Sequence, residues 1–147
     1  MNALVVFLAT VGYIGWIPVA PATALSAIIC IVAFFFPSPR WIEPVAVAST
    51  VVGLLIARRA TEVFQLKDPR PFVLDELAGM TLTLAFLPLD ARTLVAAFVL
   101  FRFFDILKPL GIRRLDRMKH PTGIVWDDLL AGVYANLALQ VLTRWLW

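Results

Sequence analysis

Cysteine and histidine are almost absent from this chain, which has one residue of each type among 147. The single cysteine, Cys30, excludes an intramolecular disulfide, and its apolar surroundings favour a small buried side chain. Without clustered cysteine and histidine, zinc lacks its usual ligands. Charged residues are also scarce, at 16%, and the net charge of +3 is too small to indicate a nucleic-acid-binding protein.

Positive charge is missing near the N-terminus, because the first basic residue is Arg40. The charged region of a cleavable signal peptide is therefore absent, and we expect Met1 to belong to the mature protein. Prolines and glycines are spread along the chain without a repeat or a low-complexity stretch. These features predict a single domain that covers residues 1–147.

Apolar residues make up 61% of the sequence and the mean hydropathy is +0.88, whereas soluble domains are about 45–50% apolar. This composition indicates an integral membrane protein. Pro-rich or charged breaks separate six apolar runs, at residues 3–18, 22–36, 41–57, 72–89, 93–107 and 124–143. Gly and Pro interrupt the first run, which predicts an apolar or interfacial lead-in and a loop that re-enters the functional site. The predicted fold is all-α, a polytopic membrane bundle of about five apolar helices.

Basic residues cluster in two of the breaks, 58–70 and 108–119, while the opposite turns hold few. Lys and Arg in short loops stay on the cytoplasmic side of a membrane, so both breaks are expected there. If the last five apolar runs each cross once, the polar residues beside these breaks gather at the same cytoplasmic face. Three tryptophans, Trp41, Trp145 and Trp147, are then expected at the opposite interface.

Two pairs of adjacent acids, Asp75-Glu76 and Asp127-Asp128, each open a predicted helix. The helix dipole favours an acid there by about 0.3–1 kcal/mol, so a capping role is one explanation for each pair. Capping needs only one acid, however, and four carboxylates in a low-dielectric site repel one another unless a divalent cation neutralises them. The sequence therefore predicts that all four bind a metal, and oxygen ligands favour Mg²⁺ or Mn²⁺.

Three ionisable residues at intervals of three, Arg102, Asp105 and Lys108, share one face of a predicted helix that ends at Pro109. A buried salt bridge between Arg102 and Asp105 that locks two helices is one interpretation. The lysine favours another, because a metal-bound phosphate monoester needs cationic partners for its remaining oxygens. Arg102 and Lys108 are then expected to bind phosphate, while Asp105 orients Arg102 or completes the metal shell.

Gly79 and Gly132 follow the acidic pairs at similar spacings, and small residues let membrane helices approach closely. The two acidic helices could pack against each other there, although ordinary helix packing explains the glycines equally well. Asp116 lies among basic residues and is most simply a surface charge. His120 precedes Pro121 in a polar loop and is expected to be exposed to solvent.

The two acidic pairs, the three ionisable residues of the next helix and the two glycines fall in three segments: Asp68-Pro-Arg-Pro-Phe-Val-Leu-Asp-Glu-Leu-Ala-Gly79, Phe101-Arg-Phe-Phe-Asp-Ile-Leu-Lys-Pro-Leu-Gly-Ile112 and Gly123-Ile-Val-Trp-Asp-Asp-Leu-Leu-Ala-Gly132. Together and in this order, they resemble the phosphatidylglycerophosphatase A family of membrane lipid phosphatases over most of the chain. The resemblance implies a small polytopic helical enzyme that uses Mg²⁺ to hydrolyse the terminal phosphate of phosphatidylglycerophosphate, an anionic phospholipid. The product is phosphatidylglycerol, and the expected location is the inner, cytoplasmic membrane. The resemblance also makes Asp116 a candidate supporting residue of the site.

The N-terminal loop departs from the family pattern, which has a glycine-rich Pro-Gly-Thr-x-Gly-Ser segment. This chain reads Pro21-Ala-Thr-Ala-Leu-Ser26, which keeps Thr23 and loses the glycines. Backbone amides that open a helix can bind phosphate oxygens, so Thr23 stays a candidate for substrate binding. The loop before Asp127 is also less glycine-rich than in the family. These departures concern the fit of the substrate more than the metal site.

The first functional hypothesis is a metal-dependent lipid phosphatase with the catalytic residues Asp75, Glu76, Arg102, Asp105, Lys108, Asp127 and Asp128. Mg²⁺ held by the four paired acids would polarise the phosphoryl group and activate a water for in-line attack, and covalent attack by an aspartate is the alternative. The second hypothesis is a small cation- or proton-coupled transporter lined by intramembrane acids. Transporters place such acids near the midplane and often contain internal repeats, neither of which this sequence predicts.

Overall fold

The computed structural model describes residues 2–109 and 111–145, and every regular element within these ranges is helical. The α-helices are α1 (Asn2–Ala9), α2 (Pro21–Phe35), α3 (Pro39–Phe64), α4 (Leu74–Leu84), α5 (Ala91–Leu107), α6 (Ile112–Asp116) and α7 (Gly123–Trp145). The predicted all-α fold class is confirmed. Five helices, α2 to α5 and α7, fall within or around the last five apolar runs, while α1 and α6 are short.

The first apolar run is not a single helix. α1 ends at Ala9, and the chain turns through positive φ at residues 11–13 before one 3-10 turn at Ile14–Trp16. Thr10 supports this turn, because its hydroxyl oxygen accepts a hydrogen bond from Tyr13 N at 3.0 Å. The break that Gly and Pro predicted in this run is therefore present.

The N-terminal segment packs against the connection between α3 and α4. Gly15 lies directly against the carbonyl oxygen of Pro71, where a Cβ atom would overlap with it. Val73 N donates to Ala9 O at 2.9 Å. Pro21 then starts α2, as proline suits the first helical position. The segment thus leads back to the end of the bundle where α4 begins.

α4 is the central helix, and nine of its 11 residues are buried. It packs mainly against α3 and α7 and also contacts α2 and α5. At about 1.5 Å per residue it is roughly 16 Å long, about half of a ~30 Å hydrocarbon core. α4 therefore presents Asp75 and Glu76 at one end of the bundle and stops inside the protein at the other.

α4 and α7 meet at two glycines with no side chain between them. A Cβ atom on Gly132 would lie 2.5 Å from Gly79 O, and one on Gly79 would lie 2.7 Å from Asp128 O. Both distances are shorter than a van der Waals contact, so this approach requires glycine on both helices. The expected contact between the two acidic helices is present.

The C-terminal end of α4 is bonded by a side chain of α7. Asn136 Nδ2 lies 3.4, 3.0 and 2.8 Å from the carbonyl oxygens of Leu82, Thr83 and Ala85. The last carbonyls of a helix have no partner within the helix. Asn136 supplies the donor that water would supply at a surface.

Among the described residues, α3 is the one helix that is both long and apolar enough to cross a membrane. α2 has 15 residues and α5 has 17, whereas a straight span takes about 20. The five predicted crossings therefore stay a prediction. Large apolar side chains nevertheless face outward from four helices, including Phe35, Leu55, Val95 and Leu137. An exposed apolar surface of this kind marks an interaction site, and the predicted membrane is one surface that fits it.

Several aromatic and polar side chains lie near the ends of the bundle. Trp41 in the first turn of α3 and Trp145 at the end of α7 lie at the end opposite the start of α4. Their position at a membrane interface stays a prediction. Trp147 lies outside the described residues. His120 is exposed, with Nδ1 2.8 Å from Thr122 Oγ1, which confirms its predicted loop position.

Candidate active site

A polar cavity of about 320 Å³ opens at the end of the bundle where α2, α4 and α7 begin and α5 ends. All seven predicted catalytic residues line it, and Thr23 in the first turn of α2 lines it too. The cavity wall holds six carboxylates and three cationic side chains: Asp68, Asp75, Glu76, Asp105, Asp127 and Asp128, with Arg70, Arg102 and Lys108. Helices that alternate in direction bring these distant segments together.

The two acids of α4 are both buried but make different bonds. Asp75 Oδ1 accepts a hydrogen bond from the backbone N of Glu76 at 2.8 Å. Glu76 reaches two other helices, because its Oε2 accepts from Ser26 Oγ at 3.1 Å and its Oε1 accepts from Arg102 Nη1 at 2.6 Å. Glu76 thus links α2, α4 and α5, while Asp75 bonds at the start of its own helix.

Arg102 on α5 bonds two carboxylates, Asp105 on its own helix and Glu76 on α4. Its Nη1 lies 2.6 Å from Glu76 Oε1 and 2.8 Å from Asp105 Oδ2. The Arg102–Asp105 salt bridge considered in the sequence therefore exists, and Glu76 extends it to a second helix. Arg102 Nε is buried without a hydrogen-bond partner. An unpaired guanidinium N–H in a cavity can donate to an anionic ligand.

Lys108 follows the last residue of α5 in the left-handed conformation, with φ of 48°. Its Nζ lies 2.5 Å from Asp127 Oδ2 and 2.6 Å from Asp116 Oδ1. Burial disfavours the ammonium ion, but hydrogen bonds and charges from these two carboxylates outweigh it and raise the pKa of Lys108. Burial raises the pKa of Asp116, but bonding to Lys108 outweighs it and the net shift is downward. Asp116 is therefore part of an ion-pair network at the site.

Three carboxylates of the cavity lie close enough to share one cation. Glu76, Asp105 and Asp128 each offer an oxygen, and these oxygens lie within 4.8 Å of one another. All of these ligands are oxygens, which suits Mg²⁺. Asp127 Oδ1 is also buried without a hydrogen-bond partner. Carboxylates crowded in this way repel one another unless a cation neutralises them, so the residues present fit a hard divalent cation.

This cluster overlaps only partly with the predicted metal ligands, Asp75, Glu76, Asp127 and Asp128. Glu76 and Asp128 belong to both sets. Asp127 contacts Lys108, Asp75 bonds the backbone of its neighbour, and Asp105 occupies the third position of the cluster. The assignment of all four paired acids as ligands stays a prediction.

Asp68, Arg70 and Ser26 were not predicted as site residues, although the first two lie within the segment 68–79. Asp68 and Arg70 line the cavity, and Arg70 Nη2 donates to Pro18 O at 2.9 Å. Ser26 is a buried hydroxyl in an apolar helix, and this polarity is the signal that could have identified it. Its partner Glu76 lies 50 residues away, so the sequence could not show the bond.

The sequence of the chain is similar to those of several known proteins. A sequence profile of phosphatidylglycerophosphatase A matches residues 7–143. The chain is 37% identical over 141 residues to a Bacteroides thetaiotaomicron protein provisionally named a phosphatidylinositol-3-phosphatase, covering 89% of this chain and 87% of that protein. Phosphatidylglycerophosphatase A of Haemophilus influenzae is 37% identical over 98 residues, covering 65% of this chain and 60% of that protein. Phosphatidylglycerophosphatase A of Escherichia coli is 34% identical over 123 residues, covering 81% of this chain and 72% of that protein. No solved structure matches the chain.

Proposed function

The chain belongs to the phosphatidylglycerophosphatase A family, and on that premise we propose that it hydrolyses the terminal phosphate of phosphatidylglycerophosphate. A water oxygen forms a bond to phosphorus while the bond from phosphorus to the glycerol oxygen breaks, which gives phosphatidylglycerol and inorganic phosphate. The observation that carries the proposal is the cavity itself, because residues from the segments 68–79, 101–112 and 123–132 all line it.

Mg²⁺ dependence is the second part of the proposal, with Glu76, Asp105 and Asp128 as the central ligands and Asp75 and Asp127 beside them. Three cations and six carboxylates give the cavity wall a formal charge of −3 when all groups are ionised (3 − 6). A phosphate monoester carries up to two negative charges and is repelled by such a wall. A divalent cation held by these carboxylates would offset most of this negative charge and would polarise the phosphoryl group.

Arg102 and Lys108 are proposed to bind the phosphate oxygens. Each already contacts two carboxylates, so phosphate joins an existing network of charges. Arg102 can donate from its unpaired Nε. Lys108 can exchange its bond to Asp116, whose side chain is 38% exposed, for a bond to phosphate, because its other partner, Asp127, is 4% exposed and stays in place.

Asp127 and Thr23 have supporting roles in this proposal. Asp127 Oδ2 is bonded to Lys108, while Oδ1 is buried without a partner. A carboxylate oxygen in this state can accept a hydrogen bond from the attacking water and orient it. Thr23 lies in the cavity wall formed by α2, where it can contact the substrate headgroup.

The relatives are named for two different substrates, but both are phosphate monoesters on a phospholipid headgroup. We favour phosphatidylglycerophosphate because the family profile and two of the relatives carry that name. The test measures phosphate release by purified protein from phosphatidylglycerophosphate and from phosphatidylinositol 3-phosphate, each in EDTA and in excess Mg²⁺. Asp128→Asn serves as the inactive control.

We expect faster release from phosphatidylglycerophosphate, loss of activity in EDTA and recovery with Mg²⁺. A preference for phosphatidylinositol 3-phosphate would reassign the substrate. Full activity in EDTA without bound metal would contradict the metal requirement. No release from either lipid, by protein that is folded, would overturn the proposed function.

The proposed location is the inner membrane, with several crossings and the active site on the cytoplasmic side. The basic breaks 58–70 and 108–119 both adjoin the cavity end of the bundle, which agrees with the positive-inside rule. A transporter is disfavoured, because the chain belongs to a phosphatase family and the acids gather at one end of the bundle. Asp75 and Glu76 lie in the first turn of α4, as predicted. The predicted position of Asp127 and Asp128 at the opening of their helix is wrong, because α7 begins at Gly123 and places this pair in its second turn.

A further inference from the structure

A second cavity, of about 330 Å³, lies in the seam between α2 and α5, and apolar surface alone lines it. Its lining includes Ala27, Cys30 and Phe34 of α2 with Leu94, Val95 and Phe98 of α5. Cys30 Sγ donates to Leu94 O at 3.6 Å, which satisfies the thiol and joins the two helices. We name this cavity the α2–α5 groove.

The α2–α5 groove continues the wall of the active-site cavity on both helices. On α2, Thr23 lines the cavity, and Ala27, four residues later, lines the groove. On α5, Arg102 lines the cavity, and Phe98, four residues earlier, lines the groove. Residues four apart lie on the same helix face, about 6 Å from each other along the axis. One seam between two helices is therefore charged at one end and apolar over the rest.

We propose that the α2–α5 groove binds an acyl chain of the phospholipid whose phosphate occupies the active site, an inference that rests on the proposed function. A phospholipid has the same order of parts as the seam, with a charged headgroup followed by apolar chains. The groove extends from Ala27 to Phe35 on α2, eight residues or about 12 Å. One leaflet of hydrocarbon is about 15 Å deep, so the lengths agree.

Substitutions at two depths in the groove test whether it binds acyl chains according to their length. Ala27→Phe blocks it one turn from the cavity. Val95→Trp fills it about 10 Å from Arg102, seven residues along α5. Val141→Trp on α7 is the matched control, because Val141 is 58% exposed, Val95 is 65% exposed, and Val141 lines neither cavity. The readout is kcat/KM for long-chain phosphatidylglycerophosphate, a short-chain form and the deacylated headgroup.

On long-chain substrate, we expect both groove variants to lower kcat/KM by about tenfold or more, because each buried methylene contributes roughly fourfold in affinity. On short-chain substrate, only Ala27→Phe should lower it. The deacylated headgroup should be hydrolysed equally by all variants, and Val141→Trp should match wild type throughout. Equal losses from Val141→Trp, or losses on the deacylated headgroup as large as on the lipid, would overturn the proposal.

Photo-crosslinking separates this inference from the proposed function. The wild-type protein is loaded with phosphatidylglycerophosphate that carries a diazirine at the chain terminus, and the crosslinked peptides are mapped. Crosslinks concentrated on α2 and α5 and reduced by Val95→Trp support the groove, even if the protein releases no phosphate and the proposed function fails. Crosslinks spread evenly over α3 and α7 would overturn the proposal that the α2–α5 groove binds the acyl chain, whether or not phosphate is released.

Discussion

Arg102 combines two properties that usually belong to different residues. Its Nη1 bonds Glu76 and Asp105, as a structural salt bridge does, while its Nε is buried without a partner beside the cavity. A buried ion pair by itself is weak support for stability, because the desolvation of both charges offsets their attraction. The two properties predict different consequences for a substitution that keeps the charge.

Replacing Arg102 by Lys keeps the positive charge and removes the planar group that can donate two parallel bonds. We expect kcat/KM to fall roughly 10- to 100-fold, the effect of losing a charge-assisted hydrogen bond of about 1.5–3 kcal/mol. The melting temperature and Mg²⁺ affinity should change little. Rates and melting curves on the same detergent-purified variants test this. If Arg102→Lys stays active while Arg102→Ala loses stability and rate together, the residue is structural.

Metal affinity should distinguish the cluster in the structure from the four paired acids. Asp105→Asn removes a charge from the cluster of three, and we expect it to weaken Mg²⁺ binding on the order of tenfold or more. Asp75→Asn should weaken it less, because Asp75 bonds the backbone N of Glu76. Mg²⁺ titration by calorimetry measures both variants. The opposite order would restore the ligand set predicted from the sequence.

The residue types of the site could be predicted because ionisable residues in apolar runs are costly and have few structural uses. The directions in which these side chains point could not be predicted. Adjacent residues on a helix point about 100° apart, so the sequence does not say which acid of a pair faces the cluster. Lys108 shows the same limit, because its bonds to Asp116 and Asp127 depend on a left-handed residue that breaks the helical spacing.

At the scale of elements, apolar runs located most helices to within a few residues, but α4 is much shorter than its run of 72–89. α4 ends at Leu84, and Phe86 takes a positive φ of 60° before Pro88. Proline disfavours the helical conformation in the residue before it, which limits the helix from that side. The sequence could not show that an asparagine of another helix would bond the end of α4.

Asn136→Ala should lower stability without impairing substrate binding. The substitution removes the side-chain donor of the carbonyls of Thr83 and Ala85, whereas Leu82 O keeps its bond from Ala85 N. An unsatisfied buried polar group costs about 1–3 kcal/mol. Thermal unfolding and KM on the same samples measure the two effects. Gln140→Ala is the control, because it removes a single bond, to Asn136 Oδ1. Equal melting temperatures for both variants would contradict the role of Asn136.

Gly132→Ala should disturb the active site through the backbone. The new Cβ atom would lie 2.5 Å from Gly79 O, so α4 and α7 must separate. We expect a melting temperature lower by several degrees and weaker Mg²⁺ binding, because the acids of both helices move apart. Gly53→Ala is the matched control, since its Cβ atom would meet Val125 at an ordinary 3.4 Å. Unchanged Mg²⁺ affinity in Gly132→Ala would show that the acids do not depend on this contact.

At the scale of the whole molecule, alternating helix directions and the distribution of basic residues together predicted that distant acids would meet at one end. The prediction worked because each apolar run reverses the chain, so the starts of α2, α4 and α7 lie together. The number of membrane crossings stays a prediction. Run length overestimates the helix where a run includes an apolar loop, as it does after α4.

Labelling in intact cells tests the orientation of the whole molecule. With Cys30 replaced, cysteines at Lys67 and Arg114 should be shielded from an impermeant thiol reagent, while one at Arg40 should react. Lys67 and Arg114 adjoin the cavity end, and Arg40 lies in the first turn of α3 at the other end. All three positions are exposed on the protein, so burial does not explain a difference. The reverse pattern would place the active site outside the cytoplasm.

The glycine contact has a consequence for how the length of this protein can vary. Asp75 precedes Gly79 by four residues, and Asp128 precedes Gly132 by four. The glycine contact therefore fixes the direction in which each acid points, because each acid lies about one helical turn from its glycine. An extra residue inside either interval would turn the acid about 100° out of phase. Related chains can lengthen the turn between α2 and α3, but these two intervals should stay constant in all of them.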